Sequence, residues 1–166
     1  MSKVNFLKRE YRIEDPRNSM RCGIVDGINS DPAYTTLSVV KKWNATIENP
    51  HSRTFQFVPI DNNIVYYKPN EKKERSCDGM LLVEENSLIA FIELKDVQTG
   101  GYADAIEQLR ITISFFLANH QYDIFRVRRA YAANIAHPTF QYSMKDRIEE
   151  FRKLHFVLFP EAIIRI

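Results

Sequence analysis

Two acids and one base interrupt the most apolar stretch of this chain. In CDGMLLVEENSLIAFIELKD, residues 77–96, Asp78 heads a first apolar run, and Glu93 and Lys95 close a second one after fourteen intervening residues. Side chains alternate along a strand. Ala90, Ile92 and Leu94 therefore share one face, and Ile89, Phe91, Glu93 and Lys95 share the other, with Glu93 and Lys95 about 7 Å apart. A hairpin turn centred between Asn86 and Ser87 pairs Asp78 with Lys95, one pair beyond Glu93, and a twist or bulge can bring the Asp78 carboxylate toward Glu93. Two carboxylates at close range disfavour joint ionisation, and a divalent cation removes that penalty. Mg²⁺ takes hard oxygen ligands and keeps several waters. A metal-bound water is a better nucleophile, and the ion stabilises charge on an attacked phosphate. Lys95 is placed to orient such a water or to meet the developing charge.

An Asp at the head of one strand, a hairpin, then Glu93-Leu94-Lys95 in the frame IAFIELKD with a helix after it, resembles the PD-(D/E)xK nuclease superfamily over about residues 75–120. The proline of that pattern is missing, since Cys77 precedes Asp78. The resemblance implies a restriction-endonuclease-like fold and hydrolysis of DNA phosphodiester bonds. It also implies Mg²⁺, with Mn²⁺ as substitute, held by Asp78 and Glu93 with the Leu94 carbonyl as third ligand, and Lys95 as the catalytic lysine. Members often add a polar residue from the following helix: Gln108, off the apolar stripe, is the candidate here, and Tyr102 a second one. Many also use an acid from the first helix, for which Glu10 and Glu14 both stand. Cutting both strands with so small a chain favours a homodimer.

The elements that must position these residues follow from periodicity and punctuation. NFLKREYRIED is expected as a helix or an extended arm, with a short strand at Ile24–Val25 inside the loop that follows. SDPAYTTLSVVKKWNATIENP predicts a helix, capped by Ser30 or Asp31 with Pro32 at its first position and an apolar stripe of Leu37, Val40, Trp43 and Ile47. FQFVPI (55–60) and IVYYK (64–68) predict a hairpin around Asp61-Asn62-Asn63, with Pro59 marking an edge or bulge. Met80–Val83 and Leu88–Leu94 predict the second hairpin. After Gly100-Gly101, YADAIEQLRITISFFLANH predicts a helix whose core face carries Ala105 and Ile106, Leu109, Ile113 and Phe116 or Leu117. A strand at 124–135, a helix at 143–154 capped by Ser143, and one or two strands in FVLFPEAIIRI complete an α/β chain with a central mixed β-sheet flanked by helices. The expected organisation is one domain: an N-terminal arm or helix over about 1–50, a catalytic core over about 55–135, and a C-terminal helix and strand over about 140–166.

Composition narrows the alternatives. The 166 residues are 45% hydrophobic and 27% charged, enough for one sizeable core, and the net charge of +2 makes any basic surface a local patch. Arg126, Arg128 and Arg129 are the candidate nucleic-acid-binding residues, with Lys145, Arg147, Arg152 and Lys153 on the next helix. Cys22 and Cys77 lack zinc or disulfide spacing. No signal-peptide h-region and no apolar run of about 18 residues is present, so a cytoplasmic protein without membrane association is expected. Asp26-Gly27 reads as a turn pair, and His137, before a proline, as structural. An ion pair on a half-exposed sheet would account for Glu93 and Lys95 alone, but not for Asp78 upstream or the apolar neighbours on both faces. The other reading is a nuclease-fold module that binds nucleic acid or a protein partner without cutting.

Overall fold

The structure is a computed structural model that describes residues 3–97, 101–136 and 144–166. Its elements in chain order are β1 (Arg21–Val25), β2 (Tyr34–Thr36), β3 (Ala45–Glu48), β4 (Phe55–Pro59), β5 (Gly79–Val83), β6 (Leu88–Lys95), α1 (Gly101–Asn119), β7 (Val127–Asn134), α2 (Lys145–Lys153), β8 (Val157–Phe159) and β9 (Ile163–Arg165). The strands form two mixed sheets, a four-stranded one in the order β2-β1-β3-β9 and a five-stranded one in the order β4-β5-β6-β7-β8. β4, β5 and β6 run antiparallel in succession; α1 then crosses over, and β7 lies parallel beside β6.

Each face of the five-stranded sheet has its own core. On one face, Ile89 and Phe91 of β6 and Ala130 and Ala132 of β7 meet Ile106, Leu109, Ile113 and Phe116 of α1 and Phe151 of α2. On the other, Leu81, Leu88, Ala90, Ile92 and Tyr131 meet Cys22, Ile24, Ala45, Ile47 and Ile164 of the smaller sheet. The expected central sheet flanked by helices is therefore corrected. Helices cover one face only, and a second sheet covers the other. β6 is buried along seven of its eight residues, which accounts for a near-continuous apolar sequence in place of polar alternation.

Two local expectations are overturned. Residues 31–49 form no helix: they hold β2, a loop and β3. Tyr34, Thr35 and Thr36 suit a pleated strand, the stripe residues Leu37 and Val40 are exposed, and Ala45–Glu48 alternates buried and half-buried with period two. Residues 64–68 are not the partner of β4, which pairs with β5. Ile64 and Tyr66 instead sink into the helix-side core as loop residues, because tertiary burial there outweighs strand pairing. Pro59 does end an edge strand, as its missing N–H requires. The N-terminal segment is an arm with one 3-10 turn at Arg9–Tyr11; it bridges Arg17 to Phe55 and buries Phe6 against Tyr66 and Phe116. β8 and β9 are two strands that enter different sheets. Ser143, His137 and Gly100 lie outside the described residues.

Gly79, directly after Asp78, is where the mounting of the acid depends on a missing side chain. A Cβ there would stand 2.3 Å from the Phe57 ring, which fills the space in the inter-sheet core. Gly79→Ala is expected to lower stability by about 1–3 kcal/mol through overpacking, read as a fall in the urea midpoint without a change in slope.

Candidate functional site

The hairpin register decides the site. β5 and β6 pair Val83 with Leu88 and Gly79 with Ile92, so the next position sets Asp78 opposite Glu93, two residues from the expected pairing with Lys95. The connection is a 3-10 turn at Glu84–Asn86 with Glu85 and Asn86 in the left-handed region, which moves the turn centre back by one residue. A shift of two preserves face, so Asp78, Glu93 and Lys95 still share a side, and no bulge is needed. The Leu94 N–H donates to Asp78 Oδ2 at 2.6 Å. Since the N–H and C=O of a strand residue lie on the same edge, the Leu94 carbonyl also faces the Asp78 side.

Helix α1 supplies the donors. Gln108 Nε2 donates to Glu93 Oε1 at 2.5 Å and to Asp104 Oδ2 at 3.3 Å. Lys95 Nζ lies 3.0 Å from Glu93 Oε1 and 2.7 Å from Asp104 Oδ2, and Arg75 pairs with the other Asp104 oxygen. One turn beyond Gln108, the buried Thr112 hydroxyl donates to the Gln108 carbonyl at 2.8 Å and accepts the Cys77 N–H at 2.8 Å. That pins the residue before Asp78 to the helix.

Electrostatically the centre is overloaded. Glu93 is 3% exposed, and no donor reaches its Oε2. Burial, then the neighbouring Asp78 charge, pushes the Glu93 carboxyl up to about 9. Burial likewise raises Asp78 to about 7, opposed by the Leu94 N–H. The two carboxyls are close enough to share a proton. Burial opposes the charge on Lys95, but its Asp104 and Glu93 partners outweigh it and hold its pKa above the ordinary value. Asp104 is held below its ordinary value, chiefly by the Lys95 hydrogen bond.

These groups open on a pocket of about 260 Å³ whose lining includes Asp26, Asp31, Asp61, Asp78, Glu93, Lys95 and Gln108. Asp26, Asp61 and Asp104 were not anticipated as site residues. Asp26 comes from the end of β1 and adds to the charge felt by Asp78. Its Asp-Gly context predicts a turn, and Asp61-Asn62-Asn63 predicts a hairpin tip, so neither acid is marked for the site by its local sequence. Asp104 had a readable signal, because it stands four residues before Gln108 and thus on the same helix face. Among the described residues, no three His, Cys, Asp or Glu side chains are grouped closely enough to hold a metal ion by themselves.

Other candidates fall elsewhere. Glu10 pairs with Lys8 on the N-terminal turn. Glu14 accepts the Thr35 N–H at 3.1 Å, and burial raises its pKa. Neither lines the acidic pocket. Tyr102 packs against the helix-side core. The parallel register sets Ala132 opposite Glu93 but Arg128 opposite Ile89 and Arg129 opposite Ala90, so these arginines start about 10–13 Å away along the strand. Their guanidinium groups donate to the carbonyls of Phe125, His155 and Arg165. The Arg126 N–H bonds Asn86 O at the turn end of the hairpin, opposite Asp78. The structure thus does not bring the three arginines to the acids.

The chain has no significant match among family models, curated proteins or solved structures. Among the described residues no helix is long and apolar enough to cross a membrane.

The raised carboxyls make stability pH-dependent. Unfolded Asp and Glu titrate near 4, whereas the folded pair titrates at about 7 and about 9. Between those values the folded state binds more protons, so stability falls as pH rises. In EDTA, Glu93→Gln is expected to match the parent near pH 3.5, below the unfolded carboxyl range, and to exceed it at pH 9, by an amount on the order of a few kcal/mol. Urea titrations at both pH values test this, and parallel curves would refute the assignment.

Proposed function

We propose that the chain is a metal-dependent nuclease acting on DNA through Asp78, Glu93 and Lys95. The observation that carries this reading is the buried Glu93 carboxyl: its Oε2 has no donor, it faces the Asp78 carboxyl, and it opens on an acidic pocket. A divalent cation answers both the missing partner and the repulsion. The donor set is all oxygen, which suits Mg²⁺ or Mn²⁺ over zinc. Asp78 and Glu93, with the Leu94 carbonyl, would hold the ion, and solvent would complete the shell, since Mg²⁺ keeps several waters. When bound, it would lower the pKa of a coordinated water and offset phosphate charge.

The chain's own residues divide the remaining work. Lys95 carries a fixed positive charge beside Glu93, where it can hold a phosphate oxygen or orient the attacking water. Asp104 and Gln108 fix Lys95 and Glu93 from the helix. Hydrolysis forms one P–O bond to water and breaks one to a sugar oxygen. A phosphate backbone entering the pocket would meet Lys42, Lys73 and Arg75 around it. These three pair with Asp96, Asp61 and Asp104 respectively. Such exposed pairs are weak enough to exchange for phosphate. The order of strand, turn, strand and helix around Asp78 and Glu93-Leu94-Lys95 supports the resemblance to PD-(D/E)xK nucleases. The smaller sheet on the far face of the core and Cys77 before Asp78 are departures from it.

The test is cleavage of plasmid, linear, branched and single-stranded DNA with Mg²⁺, Mn²⁺ or EDTA. Metal-dependent cleavage is expected. Lys95→Ala should lower it about 10²–10³-fold, and Asp78→Ala or Glu93→Ala should abolish it. The reading fails if no form is cut with either metal, or if cutting survives both acid substitutions.

A further inference from the structure

The loop between β2 and β3 is built in a way that the nuclease reading does not require. Leu37, Val39 and Val40 are 56%, 79% and 92% exposed. Single exposed apolar residues are ordinary, but three within four positions on a fixed loop are not. The loop is held from below. Trp43 lies flat against Gly23, where a Cβ would meet its ring at 2.2 Å. Its Nε1 donates to Ser38 O at 2.7 Å, and Arg21 stacks on it at 5.0 Å. Thr36 Oγ1 accepts the Ser38 N–H at 3.1 Å, and Ser38 Oγ accepts the Val40 N–H at 3.3 Å. A loop free to collapse would cover its valines; this one presents them.

The same loop is tied to the rim of the acidic pocket. Asn44 Oδ1 accepts the Asp26 N–H at 3.0 Å, and Asp26 lines the pocket. Lys42 Nζ lies 3.0 Å from Asp96 Oδ2, one residue beyond Lys95. Residues 37–44, LSVVKKWN, contain two lysines and no acid. An apolar tip with cations behind it, fixed beside a phosphate-directed pocket, matches the chemistry of a wedge. β-Branched side chains enter a base step while ammonium groups hold the flanking phosphates.

We propose that Val39 and Val40 form a wedge that opens a base step next to the bound phosphate. The preferred substrate is then DNA whose stacking is already weakened, such as a mismatched or nicked duplex, over an uninterrupted one. Stacking opposes entry of the wedge, and that opposition is smaller where a pair is broken. The proposal rests on the nuclease reading only for the pocket's phosphate.

The experiment reads binding and base unstacking, neither of which needs cleavage. The full chain in Ca²⁺ is titrated into duplexes carrying 2-aminopurine, either fully paired or with one mismatch beside the probe, and compared with Val39→Ser/Val40→Ser. Wild type is expected to bind the mismatched duplex about tenfold tighter and to raise the 2-aminopurine fluorescence. The double variant should keep wild-type thermal stability and paired-duplex affinity while losing the preference and the fluorescence rise. Those results support the wedge even if no DNA is ever cut, a failure that would count against the nuclease reading alone. Equal discrimination by both proteins overturns the proposal, as does the absence of DNA binding. So does a dimer that sediments as monomer only in the variant, or wild-type-specific binding to anionic phospholipid vesicles without a base-stacking effect, since the tip would then serve another partner.

Discussion

Glu93 is a carboxyl in a place built for aliphatic side chains. Sheet and helix close over it, Gln108 and Lys95 satisfy one of its oxygens, the other has no partner, and beside the carboxyl stands Asp78, an acid that burial has also driven upward. Without a shared proton or a cation, that arrangement is repulsive. The surrounding structure consists largely of what keeps it from relaxing. Gly79 and Phe57 lock the strand beneath Asp78, Thr112 ties Cys77 to the helix, and two cores clamp β6 from both faces.

The two layers around the central strands contribute differently. Helix α1 gives precision: Asp104, Gln108 and Thr112 recur at intervals of four and deliver a carboxylate, an amide and a hydroxyl along one line. The four-stranded sheet closes the opposite face and ends at the pocket, where Asp26 adds charge from the end of β1. The acidic site therefore sits at the common end of both sheets, and segments remote in sequence meet there because strand ends converge.

What was legible in the sequence was local. The hairpin around β5 and β6 could be read because its strands are short, apolar and joined by a few residues. Helix α1 could be read because its core face repeats over five turns. Strand parity alone put Glu93 and Lys95 on one face, and the packing of α1 made that the helix-facing side. The misreadings share a cause. Leu37, Val40, Trp43 and Ile47 are spaced like a helix face, but the first two face solvent. Trp43 caps a glycine on the outside of β1, and Ile47 alone enters the core. Periodicity records where apolar residues stand, not which neighbour will bury them.

Residue types and face were thus determined by the chain itself: two acids, a lysine and a glutamine destined for one side of a strand and one helix. The tertiary structure decided their partners. A left-handed 3-10 turn placed Asp78 opposite Glu93, and parallel pairing with β7 carried Arg128 and Arg129 away from the site. The packing of a second sheet brought Asp26 in from the other end of the chain. These outcomes depend on turn geometry and on contacts between distant segments, whose energies no local window of sequence contains.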